Sequence, residues 1–295
     1  MDSLTYAVIT PVRNELENLP RLADSLLHQS VRPVRWLLVD TGSDDGTIEL
    51  SEQLAATHPF VGVLSSPTPT LQRGGPIVRA FHVGLKELTT DEAAVVVKVD
   101  ADCSFPADYF ERLLAFFARE PRLGMASGSA WEMRDGAWRQ LYGTRTSVWG
   151  AARAYRRACL DEITPLEERM GWDGVDELKA NVHGWETTTI LDLPFYHHRL
   201  EGGRDRSRAA AWSAQGDVAY FMGYRITYLV ARALYRTLRE PAAAAMISGY
   251  IRSAWRREPR LADRDARAYL RERQRWRELR RRGIEALGRG SGARR

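Results

Sequence analysis

Two carboxylates separated by a single residue, Asp100 and Asp102, are the side chains best suited to chemistry in this sequence. They follow the apolar run VVVKV, which begins at Val95 and favours a strand buried on both faces. Residues two apart in a strand point the same way, so the two acids can converge on one hard cation, such as a divalent metal that bridges a diphosphate. The alternative is that Asp-Ala-Asp only ends a strand and begins a turn.

A second acidic cluster lies in MGWDGVDELKANVHGW, where Asp173, Asp176 and Glu177 begin a predicted helix that ends near Gly184. Asp173 and Glu177 are four residues apart and therefore share a helix face, with Asp176 beside them. The cluster could supply an acid for chemistry. For Asp176 and Glu177, an acidic first turn that complements the helix dipole explains the pattern equally well.

The elements that must position these acids alternate between strand and helix. Predicted strands cover Tyr6–Ile9, Val34–Asp40, Val61–Leu64 and the run from Val95, and they are separated by polar loops and helices with apolar periodicity. The first helix carries a leucine series, namely Leu16, Leu19, Leu22, Leu26 and Leu27. Four such alternations predict an α/β fold with a doubly wound, mostly parallel sheet. The loops that follow the strands then gather at one edge, where such sheets bind ligands.

Three of these loops, TPVRNE, DTGSDDGT and QRGGP, could form a nucleotide pocket with Asp100 and Asp102. Glu15, Asp40 and Asp45 can accept hydrogen bonds from a base N–H or a ribose hydroxyl, and Arg73 can offset phosphate charge. Structural alternatives also exist: a turn for Asp45, solvated surface for Arg13 and Arg73, and the start of a capped helix for Asn14 or Glu15. No G-x-G-x-x-G follows the first strand, which argues against a dinucleotide-dependent dehydrogenase.

Composition is that of a globular protein, with 295 residues, 44% hydrophobic and 27% charged, enough for one large domain and an appendage. The two cysteines, Cys103 and Cys159, suggest neither a disulfide framework nor a zinc cluster, so we expect a reducing, cytoplasmic environment. There is no signal-peptide pattern and no uncharged apolar run of roughly 18 residues, so we expect a chain that is neither exported nor integral to a membrane.

The basic charge is concentrated at the end of the chain. Residues 251–295 hold sixteen Arg and six acids, a net charge of +10, which leaves −5 on residues 1–250. From Val218 onward, predicted helices interleave Tyr and Leu with Arg, a pattern suited to an anionic membrane surface. The alternative is packing against the domain or a partner subunit. No nucleic-acid module accompanies the arginines, and nucleic acid is not expected as a partner.

Four segments in order, TPVRNE, VDTGSDDGT, QRGG and VDAD, resemble a family 2 glycosyltransferase of the nucleotide-diphospho-sugar type. The resemblance implies a GT-A-type domain over residues 1–215, with nucleotide binding in 1–104 and the acceptor and catalytic part in 105–215. Residues 216–295 would form a basic, helical C-terminal extension. The second loop of that family usually carries two adjacent acids, and here Thr41 stands in the second place.

The resemblance also implies roles for individual residues. A UDP- or GDP-sugar donor would contact the motif residues Thr10, Pro11, Arg13, Glu15, Asp40, Asp45, Arg73, Asp100 and Asp102. Mg²⁺ or Mn²⁺ would be held by Asp102 with Asp100 and His197. A His-x-Arg pair near the metal or diphosphate corresponds to His197 and Arg199, although His198 competes because adjacent residues of a strand face opposite ways.

The catalytic base in that family is an acid about eleven positions before a Gly-aromatic pair, which corresponds to Asp173 before Gly184 and Trp185. We therefore expect metal-assisted, inverting transfer of a sugar to an acceptor hydroxyl, with a lipid-linked or cell-envelope acceptor at the inner face of the membrane. Asp176 and Glu177 remain further candidates for the site. The competing interpretations are a sugar-phosphate nucleotidyltransferase and a non-catalytic nucleotide-sugar-binding or scaffold protein.

Overall fold

The structure, a computed structural model, describes residues 4–67, 74–88, 93–141, 147–199, 207–238 and 240–275. The chain divides into two units, Met1–Glu201 and Gly202–Arg295. The predicted boundary between residues 215 and 216 falls inside a helix of the second unit, Arg208–Phe221. The helical unit therefore includes residues that the sequence pattern had assigned to the first domain.

The apolar runs of the first half form four adjacent parallel strands. They are β1 (Tyr6–Val12), β2 (Arg35–Asp40), β3 (Val61–Ser65) and β4 (Val95–Val99), in the spatial order β3-β2-β1-β4. Along β1, Tyr6 and Val8 belong to one apolar cluster and Ala7 and Ile9 to another, because successive side chains leave opposite faces of a strand. The sheet is thus covered on both faces, as the buried runs predict.

Three helices connect these strands: α1 (Leu19–Leu27), α2 (Thr47–Thr57) and α3 (Gly75–Glu87). Helices α1 and α3 have Pro20 and Pro76 in their first turns, where the missing N–H is not needed for the helix. Helix α2 follows Gly46, whose φ of 96° suits glycine. Leu16 was predicted on the apolar face of the first helix, but it lies before α1 and is exposed, because the helix starts only at Leu19.

The first half of TPVRNE is strand rather than loop. Strand β1 continues to Val12, and Pro11 and Val12 pair with Val39 and Asp40 of β2. This pairing extends the parallel ladder by three residues beyond the predicted end at Ile9, so that the loop proper begins at Arg13. Thr10 is therefore buried within the sheet.

The second half of the unit adds to the same sheet strands whose pairings are mostly antiparallel. Its elements are β5 (Cys103–Ser104), α4 (Tyr109–Arg119), β6 (Leu123–Arg134), β7 (Ala137–Gln140), β8 (Ala152–Arg156), α5 (Arg157–Ile163), α6 (Trp172–Val182) and β9 (Glu186–His197). The order is β3-β2-β1-β4-β8-β6-β9-β5, with β7 on β6. The predicted α/β class is confirmed. Among the strands described, parallel pairing is limited to β1–β4 and to β6 with β9.

This arrangement brings the His-His-Arg segment to the paired acids. Strand β9 ends at His197, which pairs with Cys103 of β5 in antiparallel register. The backbone N–H of His198 donates to the carbonyl of Asp102 at 2.8 Å. Residues separated widely in sequence therefore meet at the carboxyl end of β4.

The second unit is helical, as predicted for the end of the chain. It comprises α7 (Arg208–Phe221), α8 (Ile226–Thr237), a 3₁₀ turn (Pro241–Ala244), α9 (Ala245–Trp255) and α10 (Arg264–Arg273). Helices α7 and α9 can approach closely because Gly216 and Gly249 have no side chain. A Cβ at either position would overlap the backbone of the other helix. Within the described ranges, no helix is both long enough and apolar enough to cross a membrane.

Candidate active site

The loops after β1 and β2 are joined side by side. Asn14, whose φ is 54°, donates from its amide to Asp44 at 2.8 Å and accepts from the N–H of Asp44 at 3.0 Å. The N–H of Asn14 donates to the Ser43 hydroxyl at 3.1 Å, and that of Glu15 donates to Thr47 Oγ1 at 2.8 Å. These bonds fix one continuous rim beside the end of β4.

The predicted nucleoside acids, Asp40 and Asp45, both accept hydrogen bonds from their own loops. Asp40 accepts from the N–H of Gly42 at 2.8 Å, from the N–H of Ser43 at 3.1 Å and from the Ser43 hydroxyl at 2.5 Å. Asp45 accepts from Thr47 Oγ1 at 2.5 Å and from the N–H of Leu16 at 3.1 Å. Burial favours the protonated form, but these hydrogen bonds together outweigh that effect and hold the pKa of Asp45 below its ordinary value.

The other residues of the first motif are also engaged within the fold. Thr10 Oγ1 accepts from the indole N–H of Trp36 at 3.1 Å, and Arg13 donates to the carbonyl of Thr41 at 3.3 Å. Pro11 lies in β1 and is half-buried. Thr10 therefore holds the core together behind the rim rather than lining it.

The glycines of QRGGP allow two backbone segments to approach closely. A Cβ at Gly74, whose φ is 87°, would lie 2.5 Å from the carbonyl group of Arg169, and one at Gly75 would lie 2.9 Å from the carbonyl oxygen of Glu168. This contact seats the start of α3 against the segment that leads into α6. Arg73, predicted to offset phosphate charge, lies outside the described residues.

Asp100 follows β4 directly and is bound to a lysine of that strand. Lys98, a charged residue in an otherwise apolar run, donates to Asp100 Oδ1 and, at 2.8 Å, to the carbonyl of Gly150. Its ammonium group also lies 5.7 Å from the ring centre of Trp172. Lys98 thus links Asp100 to the segments around Gly150 and Trp172.

Asp102 is buried and lies between two cationic groups. His197 Nε2 is 3.3 Å from Asp102 Oδ1, and Arg199 Nη1 is 3.4 Å from Oδ2. Burial opposes ionisation, but these neighbours keep the pKa of Asp102 below its ordinary value. Oδ1 is buried with no well-formed hydrogen bond from any described residue. Such an oxygen has acceptor capacity that the fold does not use.

His197 is held between two carboxylates. On its other side, Nδ1 is 3.3 Å from Oε1 of Glu132, a fully buried acid on β6 that the sequence reasoning missed. Burial disfavours the imidazolium, but Asp102, Asp100 and Glu132 outweigh that effect and raise the pKa of His197 to about 9. The ring is therefore cationic at neutral pH.

The remaining members of the His-His-Arg segment have separate partners. Arg199 forms a two-point contact with Glu15, with distances of 3.0 and 2.6 Å between guanidinium nitrogens and carboxylate oxygens. His198 Nε2 is 2.8 Å from the Ser104 hydroxyl, and its ring packs edge-on against Trp138. The structure thus places His197 and Arg199 at Asp102 and directs His198 to different neighbours.

Helix α6 is anchored through two of its three acids. Asp176 Oδ1 is 2.7 Å from Nη1 of buried Arg153, and Asp176 Oδ2 accepts from the Tyr155 hydroxyl at 2.6 Å. Glu177 Oε1 accepts from Arg153 at 3.0 Å and from the N–H of Val148 at 2.7 Å. Burial raises the pKa of Asp176 to about 7 even beside this arginine. Asp176 and Glu177 therefore form part of the framework.

The third acid, Asp173, lies on the first turn of α6 next to the segment that contacts the paired acids. A Cβ at Gly150 would be 3.6 Å from Asp173 Oδ2, and the carbonyl of Gly150 accepts from Lys98, which in turn binds Asp100. Trp172, the residue before Asp173, flanks the same lysine. These contacts place Asp173 close to the carboxyl end of β4.

The residues present fit a divalent cation only in part. Carboxylate and imidazole groups are suitable ligands, and the unused acceptor capacity of Asp102 Oδ1 is what a metal would satisfy. Over the described part of the chain, no three His, Cys, Asp or Glu residues are arranged to enclose a metal ion. The site therefore fits a cation that takes one or two protein ligands and completes its coordination with water and phosphate oxygens.

Two curated proteins are similar to this chain over part of their length. Polyprenol monophosphomannose synthase of Mycolicibacterium smegmatis is 30% identical over 174 residues, which are 53% of this chain and 63% of that protein. Undecaprenyl-phosphate mannosyltransferase of Micrococcus luteus is 36% identical over 110 residues, 36% of this chain and 41% of that protein. The matched stretches thus span less than two thirds of either curated relative.

Among solved structures, the mannosyltransferase PcManGT from Pyrobaculum calidifontis, in complex with GDP-Man and Mn²⁺, has the same fold. Its TM-score is 0.58 at 17% identity, over 96% of this chain and 84% of that one. The model of glycosyl transferase family 2 matches residues 7–164, which include β1 to β4, the paired acids and Arg153. With more than half of its residues matched, the chain belongs to glycosyl transferase family 2.

Proposed function

We propose that this chain is an inverting glycosyltransferase that moves a sugar from a nucleotide-diphospho-sugar to an acceptor hydroxyl. The observation that carries the proposal is Asp102, a buried carboxylate after the carboxyl end of β4 whose Oδ1 has an ion-pair neighbour in His197 but no well-formed hydrogen bond from a described residue. His197 and Arg199 flank it within 3.4 Å. An anionic oxygen donor beside two cations suits a diphosphate and its counter-ion better than it suits a purely structural role.

The metal would be Mg²⁺ or Mn²⁺, held by Asp102 with Asp100 and His197 as the other candidates, and when bound it would offset the charge of the departing diphosphate. His197 would have to release a proton first, because only the neutral imidazole has a nitrogen lone pair for a metal. Asp102 already lies beside two positive groups, which disfavour a further cation at that carboxylate. The nucleotide brings the negative charge that removes this penalty. Metal and nucleotide should therefore each increase the affinity for the other.

Asp173 would be the general base. Its helix is fixed by the bonds of Asp176 and Glu177 to Arg153, so the first turn of α6 is held in place while Asp173 itself stays partly accessible. A carboxylate at this position can accept the proton of an acceptor hydroxyl as the oxygen attacks the anomeric carbon. Attack from the side opposite the leaving diphosphate inverts the configuration at that carbon, through a transition state with oxocarbenium character.

The donor is proposed to be a GDP- or UDP-sugar, and the acceptor a lipid-linked or cell-envelope glycan at the inner face of the membrane. The names of the two curated relatives point to mannose and polyprenyl carriers, and GDP-Man is the ligand of the structural neighbour. The basic C-terminal sequence supports peripheral attachment to an anionic membrane surface.

Thermal-shift titration with GDP- and UDP-sugars, with and without Mn²⁺, tests the proposal. Stabilisation by one donor together with Mn²⁺ should exceed the sum of the two separate shifts, because each ligand assists the other. Asp102→Asn should remove this excess, whereas Asp192→Asn, an exposed acid on β9, should keep it. Additive shifts in the parent chain would contradict the metal–nucleotide assignment.

Transfer itself is followed by release of nucleoside diphosphate with acceptor extracts present. Release that depends on the donor and Mn²⁺ supports the enzyme. Formation of a nucleotide sugar from a nucleoside triphosphate and a sugar phosphate would instead identify a nucleotidyltransferase. Donor binding with neither transfer nor hydrolysis would identify a binding protein.

A further inference from the structure

A cleft of about 290 Å³ opens in the helical unit where α8 begins. Its lining consists of Tyr224, Arg225, Ile226, Thr227, Tyr250, Arg260 and Arg271. Three of these seven residues carry a guanidinium group and none is acidic. All seven residues belong to the helical unit, and none of them is among the residues assigned above to sugar transfer.

The three arginines have no carboxylate partner among the described residues. Arg225 Nε donates to the carbonyl of Arg271 at 2.6 Å, and the Arg260 guanidinium lies 4.7 Å from the ring centre of Tyr220. These contacts orient the side chains of Arg225 and Arg260 without neutralising them. Like charges around one cleft repel each other, and a phosphate group would offset that repulsion through two-point guanidinium contacts.

The backbone at the cleft also favours an anion. Arg225 is the N-cap of α8 and provides no side-chain acceptor for the first-turn N–H groups. Ile226 and Thr227, which line the cleft, belong to that first turn. The 12-residue helix contains no acidic residue, so its positive end is not offset from within.

An exposed apolar ridge runs along α8 from the same end. Ile226, Val230 and Leu234 of α8, and Leu238 at its C-cap, follow each other at intervals of four residues and are 63%, 36%, 63% and 85% exposed. The residues of α8 that are buried in this unit are different ones, Leu229 and Ala233. Because Ile226 both lines the cleft and begins the ridge, the cationic and apolar surfaces are continuous.

We propose that this surface binds a membrane lipid that carries a phosphate head group. The phosphate occupies the arginine cleft and the hydrocarbon lies along the α8 ridge. A free phosphate would need the cleft alone, and a purely apolar partner would need the ridge alone, whereas an anionic lipid matches both. The inference rests on the proposed membrane location of the enzyme and names the lipid chemistry that would recognise it.

The head-group test uses the full chain and co-sedimentation with phosphatidylcholine vesicles that contain either phosphatidic acid or phosphatidylglycerol. The parent chain should prefer phosphatidic acid, whose phosphate is exposed. Arg271→Gln should weaken this binding by about tenfold or more, since hydrogen bonds to a charged group are lost as well as charge. Arg256 is an exposed arginine of the same unit outside the cleft. Arg256→Gln should weaken vesicle binding by roughly fivefold or less and keep the preference for phosphatidic acid.

The ridge test compares Leu234→Ser with Leu191→Ser, an exposed leucine on β9. Only the first should lower vesicle binding, and inorganic phosphate should compete weakly. If Arg271→Gln and Arg256→Gln weaken vesicle binding equally, the cleft is not a specific phosphate site and the attraction to the membrane is diffuse. If inorganic phosphate abolishes vesicle binding and Leu234→Ser has no effect on it, the site binds a soluble anion and not a lipid.

The same variants separate this inference from the proposed enzyme activity. Arg271→Gln and Leu234→Ser should leave the thermal shift with donor and Mn²⁺ unchanged, because neither residue belongs to the transfer site. A chain that binds vesicles as described but ignores all donors would refute the proposed function and keep the lipid site. A chain that binds its donor but not phosphatidic acid vesicles would refute the lipid site alone.

Discussion

Replacing Arg153 with methionine tests whether the buried network fixes helix α6. Arg153 and Asp176 each expose only 1% of their side chains, and Nη1 lies 2.7 Å from Oδ1. Arg153→Met keeps an apolar stem but leaves Asp176 and Glu177 without their counter-charge. Removing one member of a buried ion pair costs about 3–5 kcal/mol of stability. We therefore expect the free energy of unfolding to fall by that amount and Tm to fall by an amount on the order of 10 °C.

The matched control is Arg79→Met. Arg79 lies 3.0 Å from Glu168, but their side chains are 51% and 40% exposed, and such surface pairs contribute at most about 1 kcal/mol. Urea unfolding of both variants and the parent chain measures the two losses under one condition. If Arg153→Met costs no more than Arg79→Met, the network does not stabilise the unit as argued.

The pH dependence of the same experiment has a defined sign. Burial raises the pKa of Asp176 from 3.8 to about 7, so the folded state keeps a proton that the unfolded chain has released. The contribution of this group is most favourable below pH 3.8 and is lost as the pH rises to about 7. Without Arg153 the folded pKa rises further, so the loss caused by Arg153→Met should be larger at pH 8 than at pH 5.5. A loss that shrinks with rising pH would refute the reasoning.

Three further substitutions have separate expected outcomes. Asp173→Asn should keep donor affinity in thermal-shift titration and slow transfer to a hydroxyl by roughly 10²–10⁴-fold, and a loss of donor binding would contradict its role as base. Arg199→Lys keeps the charge but loses the two-point contact with Glu15. Calorimetry should therefore show donor binding weaker by about 1–3 kcal/mol. An unchanged affinity would mean that this contact does not support donor binding. Gly74→Ala should lower the free energy of unfolding by more than the roughly 1–3 kcal/mol of backbone strain expected for Gly136→Ala, since only Gly74 meets neighbouring backbone, and equal losses would contradict the close approach.

The sequence could predict the parallel half of the sheet because its strands are continuous apolar runs that need cover on both faces. The antiparallel half was not predicted in detail. Strand β6 contains LGMASGSA, a run of small residues without a β-branched series, and its neighbours β8 and β9 are distant in sequence. Local periodicity cannot specify such pairings, which depend on long-range packing.

The paired acids could be predicted, but their partners could not. Lys98 gave a signal, since a charge inside a run predicted to be buried needs a counter-charge, and Asp100 is two residues away. Glu132 gave none, because an acid near the end of a strand usually faces solvent, and only the parallel pairing of β6 with β9 brings it to His197. Arg153 was likewise hidden among the other arginines of GAARAYRR.

Acids that hold loops and acids that face a ligand have the same signature in a sequence, and unused acceptor capacity separates them. Asp40 accepts three hydrogen bonds from Gly42 and Ser43, whereas Asp102 Oδ1 accepts none that is well formed. Asp40 should therefore act mainly by shaping the rim that receives the nucleoside. Asp40→Asn should then lower Tm through lost acceptor capacity while the ratio of GDP- to UDP-sugar affinity stays the same. A changed ratio with unchanged Tm would instead assign Asp40 to direct contact with the base.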